Sequence, residues 1–203
     1  MTAILKVDTI QDTSGNNIIN ESSDTITIGA SGDTITIPSG ATISNSGTAS
    51  GFGITEADQW RLTADLEGTN AVISANLERV DDASFAKIGT GMSVSSGVFS
   101  FPSTGLYKIT AKMAAVFDGP DNGYLNTEVT QNNSSYAVVG QTAGSSDNTY
   151  QNDSSGAIFF NVTNISNDKV RFVTSSFAAN SDLKGNTGYN NTYFEFLRLG
   201  DSQ

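Results

Sequence analysis

The chain contains no cysteine and no histidine. Their absence excludes disulfides, zinc sites of the Cys/His kind, cysteine nucleophiles and any Ser-His-Asp triad. Basic residues are scarce, with 10 Lys and Arg against 21 Asp and Glu and a net charge of -11. A surface of that sign repels phosphate backbones and anionic lipid, so neither nucleic acid nor a membrane is an expected partner. No apolar run approaches the length of a membrane span. Prolines are few and extended aliphatic helical patterns are missing. What fills the chain instead is Gly, Ser, Thr and Asn around many short alternating runs, a composition that predicts an all-β fold.

The clearest such stretch is Gly97 to Phe117, GVFSFPSTGLYKITAKMAAVF. Phe99 and Phe101 share one face of a first strand. Pro102-Ser103-Thr104-Gly105 is turn chemistry, proline presetting φ and glycine accepting a φ that other residues avoid. Tyr107, Ile109, Ala111, Met113, Ala115 and Phe117 then point one way, and Lys108, Thr110 and Lys112 the other. Period two over that length predicts a strand with one buried face. The pattern is read as a hairpin.

Residues 1–22 hold two apolar clusters, Ile4, Leu5, Val7 and Ile10, then Ile18 and Ile19, around a Ser14–Asn17 turn. They are too few to bury a core, and are expected to form an attachment segment that orders on a partner. A repeat follows: Ser23–Gly29 (SDTITIG) recurs as Gly32–Pro38 (GDTITIP), with an echo at Ala41-Thr42-Ile43. Each unit reads as a short strand with one apolar face and nothing to bury it against. Stacked or side-by-side copies would cover Ile26, Ile28, Ile35, Ile37 and Ile43, so residues 23–53, ending in the Ser44–Gly53 linker, are expected to form a short β shaft. The head domain is expected over residues 54–203.

Roughly eight to ten strands follow in about 145 residues, the inventory of a jelly roll. Expected strands include Leu77–Val80, Phe85–Ile88, Leu125–Val129, Tyr136–Val139, Ala157–Val162, Val170–Phe177 and Thr192–Leu199. Trp60 is expected as core or interface packing. Two strands look apolar on both faces, one through Phe159 and one through Tyr193, Phe194, Phe196 and Leu197. A sandwich strand buries one face, so these residues are expected at an interface between copies. The carboxylates fall in loops and lack the paired placement that glycoside hydrolysis needs, so no catalytic residue, cofactor or metal is expected. Asp118–Gly123 (DGPDNG) offers oxygens for calcium but has neither EF-hand spacing nor a closing glutamate.

In an up-and-down count, successive loops alternate between the two ends. Short connections at 102–105, 132–134 and 164–168 share one end. Longer ones at 118–123, 143–155 and 178–191 share the other, and length concentrated at one end predicts function there. That end is expected to carry Asp118, Asp121, Tyr124, Tyr150, Asp153, Tyr189 and Asn190. Tyrosine rings suit a sugar face, and Asp and Asn offer hydrogen bonds to hydroxyls.

Gly97–Ile109 resembles the complement-type globular head of the tumour-necrosis-factor-like jelly rolls, with Phe99, Phe101, Pro102, Gly105 and Tyr107 matching. TYFEFLRL, Thr192–Leu199, is similar to their final strand. The resemblance implies a ten-stranded sandwich that trimerises with its last strand at the threefold interface. Leu5–Asn20, and WRLTADLEG leading into SANLERVDD, resemble tail-fibre-like proteins of marine bacteriophages. That resemblance implies a homotrimeric virion protein docked to another virion protein through its N-terminus, with the head facing a host surface glycan or protein. A capsid decoration or head fibre with a mainly structural role is the alternative, and a glycan depolymerase is a third.

Overall fold

Alternation becomes strand where a partner ladder is available to take the backbone hydrogen bonds. The computed structural model describes residues 9–11, 13–15, 17–23, 25–29, 31–44, 53–68, 70–146 and 151–203, with the backbone alone at 17, 18 and 20–22. No helix occurs among them. Two units divide the chain, Met1–Ala49 and Ser50–Gln203.

In the first unit, β1 (Thr9–Gln11), β2 (Asn17–Ser22) and β3 (Thr25–Ile28) form an antiparallel meander. Register places Ile10 opposite Ile19, and Ile19 opposite Ile28, so three isoleucines stand in one cross-strand row. Ile10 is 40%, Ile19 37% and Ile28 57% exposed. The first copy of the TITI repeat is thus a strand. The second copy, expected as another, carries no strand, and Ile35 and Ile37 stay exposed. No described element offers Thr34–Ile37 a ladder, and alternation without a partner does not make a strand. Ile4, Leu5 and Val7 lie outside the described residues, as does the side chain of Ile18.

The second unit is a two-layer sandwich. Its strands in chain order are β4 (Ala57–Leu62), β5 (Leu66–Glu67), β6 (Leu77–Arg79), β7 (Ser93–Ser95), β8 (Val98–Ser100), β9 (Gly105–Val116), β10 (Asp121–Thr130), β11 (Ala137–Ser146), β12 (Gln151–Val162), β13 (Lys169–Ser175), β14 (Asp182–Leu183) and β15 (Tyr193–Gly200). One sheet runs β11-β10-β13-β8-β7; the other runs β5-β14-β9-β15-β4-β6, with β12 also paired to β9. β12 follows β9 along its whole length, so β14 and β15 share the opposite edge of β9 in tandem. Twelve strands therefore stand among the described residues where eight to ten were expected. The two-residue pieces β5 and β14 are too short for alternation to reveal, and Phe85–Ile88 forms only a bridge between Ile88 and Ala57.

The Gly97–Phe117 stretch is not a hairpin. β8 pairs with β7 and β13, whereas β9 pairs with β12, β14 and β15. The 101–104 turn carries the chain from one sheet to the other, so the two apolar faces meet across the core instead of lying side by side. Phe101 packs on Tyr107 with ring centroids 4.8 Å apart and on Phe160 at 5.7 Å. Gly105 closes the arch at φ 152°, where a Cβ would sit 2.6 Å from the carbonyl oxygen of Gly200. Phe99, fully buried, meets Trp60, Phe172 and Phe196 at 5.5, 5.7 and 5.1 Å, and Phe172 stacks on Phe194 at 3.8 Å. Each such side chain contributes ~1.5–3 kcal/mol by leaving water.

Phe101→Ala removes a ring wedged between the sheets and leaves a cavity. It is expected to destabilise the second unit by about 3–5 kcal/mol, read as a lower denaturant midpoint at unchanged slope; an unchanged midpoint would place Phe101 outside the core.

Candidate functional site

The 117–120 connection and the 176–181 turn meet at one end of the sandwich. The Asp121 carboxylate accepts hydrogen bonds from the Ser181 hydroxyl and, at 3.1 Å, from the Ala178 N–H. Asn180 Nδ2 donates to Asp118 Oδ2 at 3.1 Å, and the Asp118 N–H donates to Ser181 Oγ at 3.2 Å. These carboxylates hold one turn onto another. Among the described residues no group of three or more His, Cys, Asp or Glu is placed to hold a metal ion. At the opposite end the Asn133 N–H donates to Asn167 O at 3.0 Å, and Arg198 Nε donates to Thr104 O at 2.8 Å.

The other described residues expected beside Asp118 and Asp121 stand on different elements. Tyr124 stands within β10, opposite Ala143 and Ser175, half-buried on the outer face of the five-stranded sheet. Asp153 lies within β12 on the outer face of the other sheet, 3.0 Å from Lys112 Nζ. Burial pushes the Asp153 carboxyl up, but the Gln151 amide and Lys112 outweigh it and hold its pKa below the ordinary value. Residues 184–191 leave the edge of β9 beside Ala114, and Asn190 Nδ2 donates to Gln59 Oε1 at 2.8 Å. Tyr189 is 59% exposed there. Tyr150 lies outside the described residues. The seven were expected together because 143–155 and 178–191 read as loops; β11 runs to Ser146, β12 begins at Gln151, and β14 interrupts the second. Polar and small residues in those strands hid them.

A second surface is better built. On β15 the side chains of Phe194 and Phe196 turn into the sandwich, 0% and 2% exposed, and do not reach an interface as expected. Alternation explains the correction: with 194 and 196 inward, only Tyr193, Glu195 and Leu197 face out. Phe159 on β12 is 68% exposed while its neighbour Phe160 is in the core. Register sets Phe159, Lys108, Leu197 and Ala57 in one row across the outer face. Beside that row lies a groove of about 340 Å³ lined by Ala57, Gln59, Phe85, Ala86, Glu195 and Leu197. Its far wall is shaped by Arg61, whose buried guanidinium binds Glu78, Asp81 and Asp82 at 2.7, 2.6 and 2.9 Å. The Phe85 N–H then donates to Asp82 O at 2.8 Å, which settles Phe85 over β4. Phe85 and Glu195 carried no sequence signal for this role, since the groove is formed by residues far apart in the chain.

Solved structures share this architecture. The chain superposes on Eiger TNF from S. frugiperda with a TM-score of 0.57 and 14% identity, covering 74% of this chain and 96% of that one. Against murine APRIL the TM-score is 0.53 and identity 13%, covering 71% and 98%. The fold is a tumour-necrosis-factor-like jelly roll. The PRD1 vertex protein P5 is matched at 19% identity over 72% of this chain and 99% of that one, with a TM-score of 0.45, a superposition too loose to carry an argument. No family model and no curated protein sequence matches the chain. The likeness read in Phe99, Phe101, Gly105 and Tyr107 thus holds at the level of fold.

Burial raises the Asp121 carboxyl, yet the hydrogen bonds from Ser181, Ala178 and Asn122 outweigh it and set its pKa below the ordinary value. A carboxylate depressed on folding stabilises above its unfolded pKa and loses that contribution as pH falls through the folded one. Stability is therefore expected to decline below about pH 4. Asp121→Asn should lower the melting temperature at pH 7 and flatten the acid decline; an identical pH profile would remove Asp121 from the network.

Proposed function

We propose that the chain is a structural, non-enzymatic virion protein that works as a homotrimeric fibre. Its N-terminal segment attaches it to another virion protein, and its jelly-roll head contacts the host surface. One observation carries the reading: large apolar side chains stand exposed on both units, and the chain's described residues do not cover them. Phe159 in the head, at 68% exposed, and Ile26, Ile28, Ile35, Ile37 and Ile43 in the repeats, from 47% to 68%, share this condition. Apolar surface of that kind marks association, and copies of one chain supply matching rows in register. The tail-fibre-like opening at Leu5–Asn20 and the short repetitive segment behind it support attachment through the N-terminal segment and display by the head. Host contact falls to tyrosines of the head, with Tyr189 the most open of those described.

Sedimentation of the full chain at micromolar concentration is expected to give three times the mass of one chain, and deletion of residues 1–22 to leave that mass intact while abolishing incorporation into particles. A stable monomer, or normal incorporation of the truncated chain, contradicts the proposal. A Tyr150→Ala/Tyr189→Ala double variant is expected to adsorb less to host cells at unchanged melting temperature and mass; unchanged adsorption places host contact elsewhere.

A further inference from the structure

At one margin of the head the two sheets meet without pairing. β11 ends the five-stranded sheet and β12 pairs with β9 in the other, and among the described residues no backbone ladder joins them. A sandwich interior is ordinarily apolar, yet the side chains turned inward here are small or polar. With Phe160 in the core, alternation turns Ile158, Gly156 and Ser154 of β12 the same way. Between them and β11 lies a cavity of about 190 Å³, room for about six waters. Two glycines keep it open. A Cβ on Gly140 would stand 2.8 Å from Ile158 Cγ2, and one on Gly156 3.1 Å from Thr142 Cγ2. Neither glycine has a positive φ, so backbone conformation does not demand glycine at either place.

The polar groups of the cavity are buried and unspent. Thr127 is 5% exposed, and its hydroxyl has no hydrogen-bond partner among the described residues. Thr142 is 6% exposed, and its hydroxyl reaches only the Leu125 carbonyl, at 3.5 Å, too long for a well-made O–H···O bond. The Gln141 carbonyl oxygen faces β12, 3.7 Å from where a Gly156 Cβ would stand. Just along β12 the Ser154 hydroxyl is also buried without a partner among the described residues. A buried hydroxyl left unpaired costs stability, so several at one cavity point to a molecule that pairs them.

We infer that this cavity binds one neutral hydroxylated ring, a single hexopyranose unit. No charged side chain lines it, and an ion placed there would be buried without a counter-charge, so the ligand is neutral. The Thr127 and Thr142 hydroxyls and the Gln141 carbonyl match sugar hydroxyls, which both donate and accept. Ile158 and Val139 supply an apolar wall for the C–H face of the ring. Size sets the limit: the volume lies below that of drug-sized sites, so one ring enters and a chain does not. The inference goes beyond the host-contact reading, because a single copy builds the whole cavity and no tyrosine takes part. A free sugar and the terminal unit of a glycan offer the same chemistry.

The test titrates the full-length protein with glucose, galactose, mannose and N-acetylglucosamine in turn, followed by calorimetry and by the methyl resonances of Thr127, Thr142 and Ile158. Saturable binding of at least one sugar, with shifts at those methyls, is expected. Thr127→Val keeps the shape and removes the hydroxyl. It is expected to weaken binding about tenfold and to leave the melting temperature of the free protein equal or higher, since no hydrogen bond within the chain is lost. Gly156→Ala puts a methyl group into the cavity and is expected to abolish binding; should it fail to fold, Thr127→Val decides. An oligosaccharide ending in the bound sugar distinguishes the sources. Affinity equal to that of the free sugar identifies a glycan terminus, binding of the free sugar alone identifies a free ligand, and either supports the site. No saturable binding by any of these sugars overturns the inference. So does binding that Thr127→Val leaves unchanged, or a lower melting temperature for that variant, which would reveal a hydrogen bond within the chain. Trimer mass and adsorption to cells are read separately, and their failure bears on the earlier proposal alone.

Discussion

Phe99 is the point at which the two sheets of the head are joined. It sits on the short strand β8, which has only three residues and could not hold its place by backbone pairing alone. Its ring reaches Trp60 on β4 and Phe196 on β15 in one sheet, and Phe172 on β13 in its own. Phe172 continues the contact by stacking on Phe194. Once these rings interlock, the spacing of the layers is set, and the arch at 101–104 has one way to cross between them. The exposed surfaces inherit their geometry from this core. Phe159 faces out because Phe160, beside it, is packed on Phe101.

Charge acts as fastening on this scaffold, and the buried ionic groups are all engaged. Asp58, 6% exposed, accepts hydrogen bonds from the Trp60 indole at 2.9 Å, from the Arg79 guanidinium and from the Met92 N–H at 2.7 Å. Arg79 also lies over the Trp60 ring, 4.8 Å from its centroid. A buried carboxylate without such partners would be strongly destabilising. Together with Arg61 and its three acids, this network ties residues 78–92 to β4 and so fixes the wall of the groove. The acidic excess of the chain is partly consumed in holding its own loops, as Asp121 and Asp168 show; Asp168 accepts the N–H groups of Thr163 and Asn164 at 2.7 and 2.9 Å.

Much of the fold was legible in the residues. Period-two alternation located β9, β13 and β15 and named the buried face of β9 correctly, because on a strand the inward set is decided by local pleat. Turn chemistry placed Gly105 where a side chain cannot stand. The absence of helical periodicity excluded every helical architecture. Composition likewise removed whole classes of chemistry, since a group that is not in the chain cannot be assembled by folding it.

What local pattern cannot carry is partnership. Alternation in Gly97–Phe117 has the same appearance whether the two strands pair in one sheet or face each other across two, and only the core rings choose the second. The polar strands 137–146 and 151–162 lack apolar contrast over part of their length, so in the sequence their ends look like loops and Asp153 groups with Asp118, whereas β12 carries it to another face. The groove depends on Phe85, Ala57 and Leu197, brought together by the Arg61 network and by the pairing of β4 with β15. The sequence determined which residues turn inward and which chemistries are absent, because both follow from the chain's own periodicity and content. The tertiary structure alone decided which strands are neighbours and where the apolar remainder is left exposed, because those depend on contacts between residues that no local spacing relates.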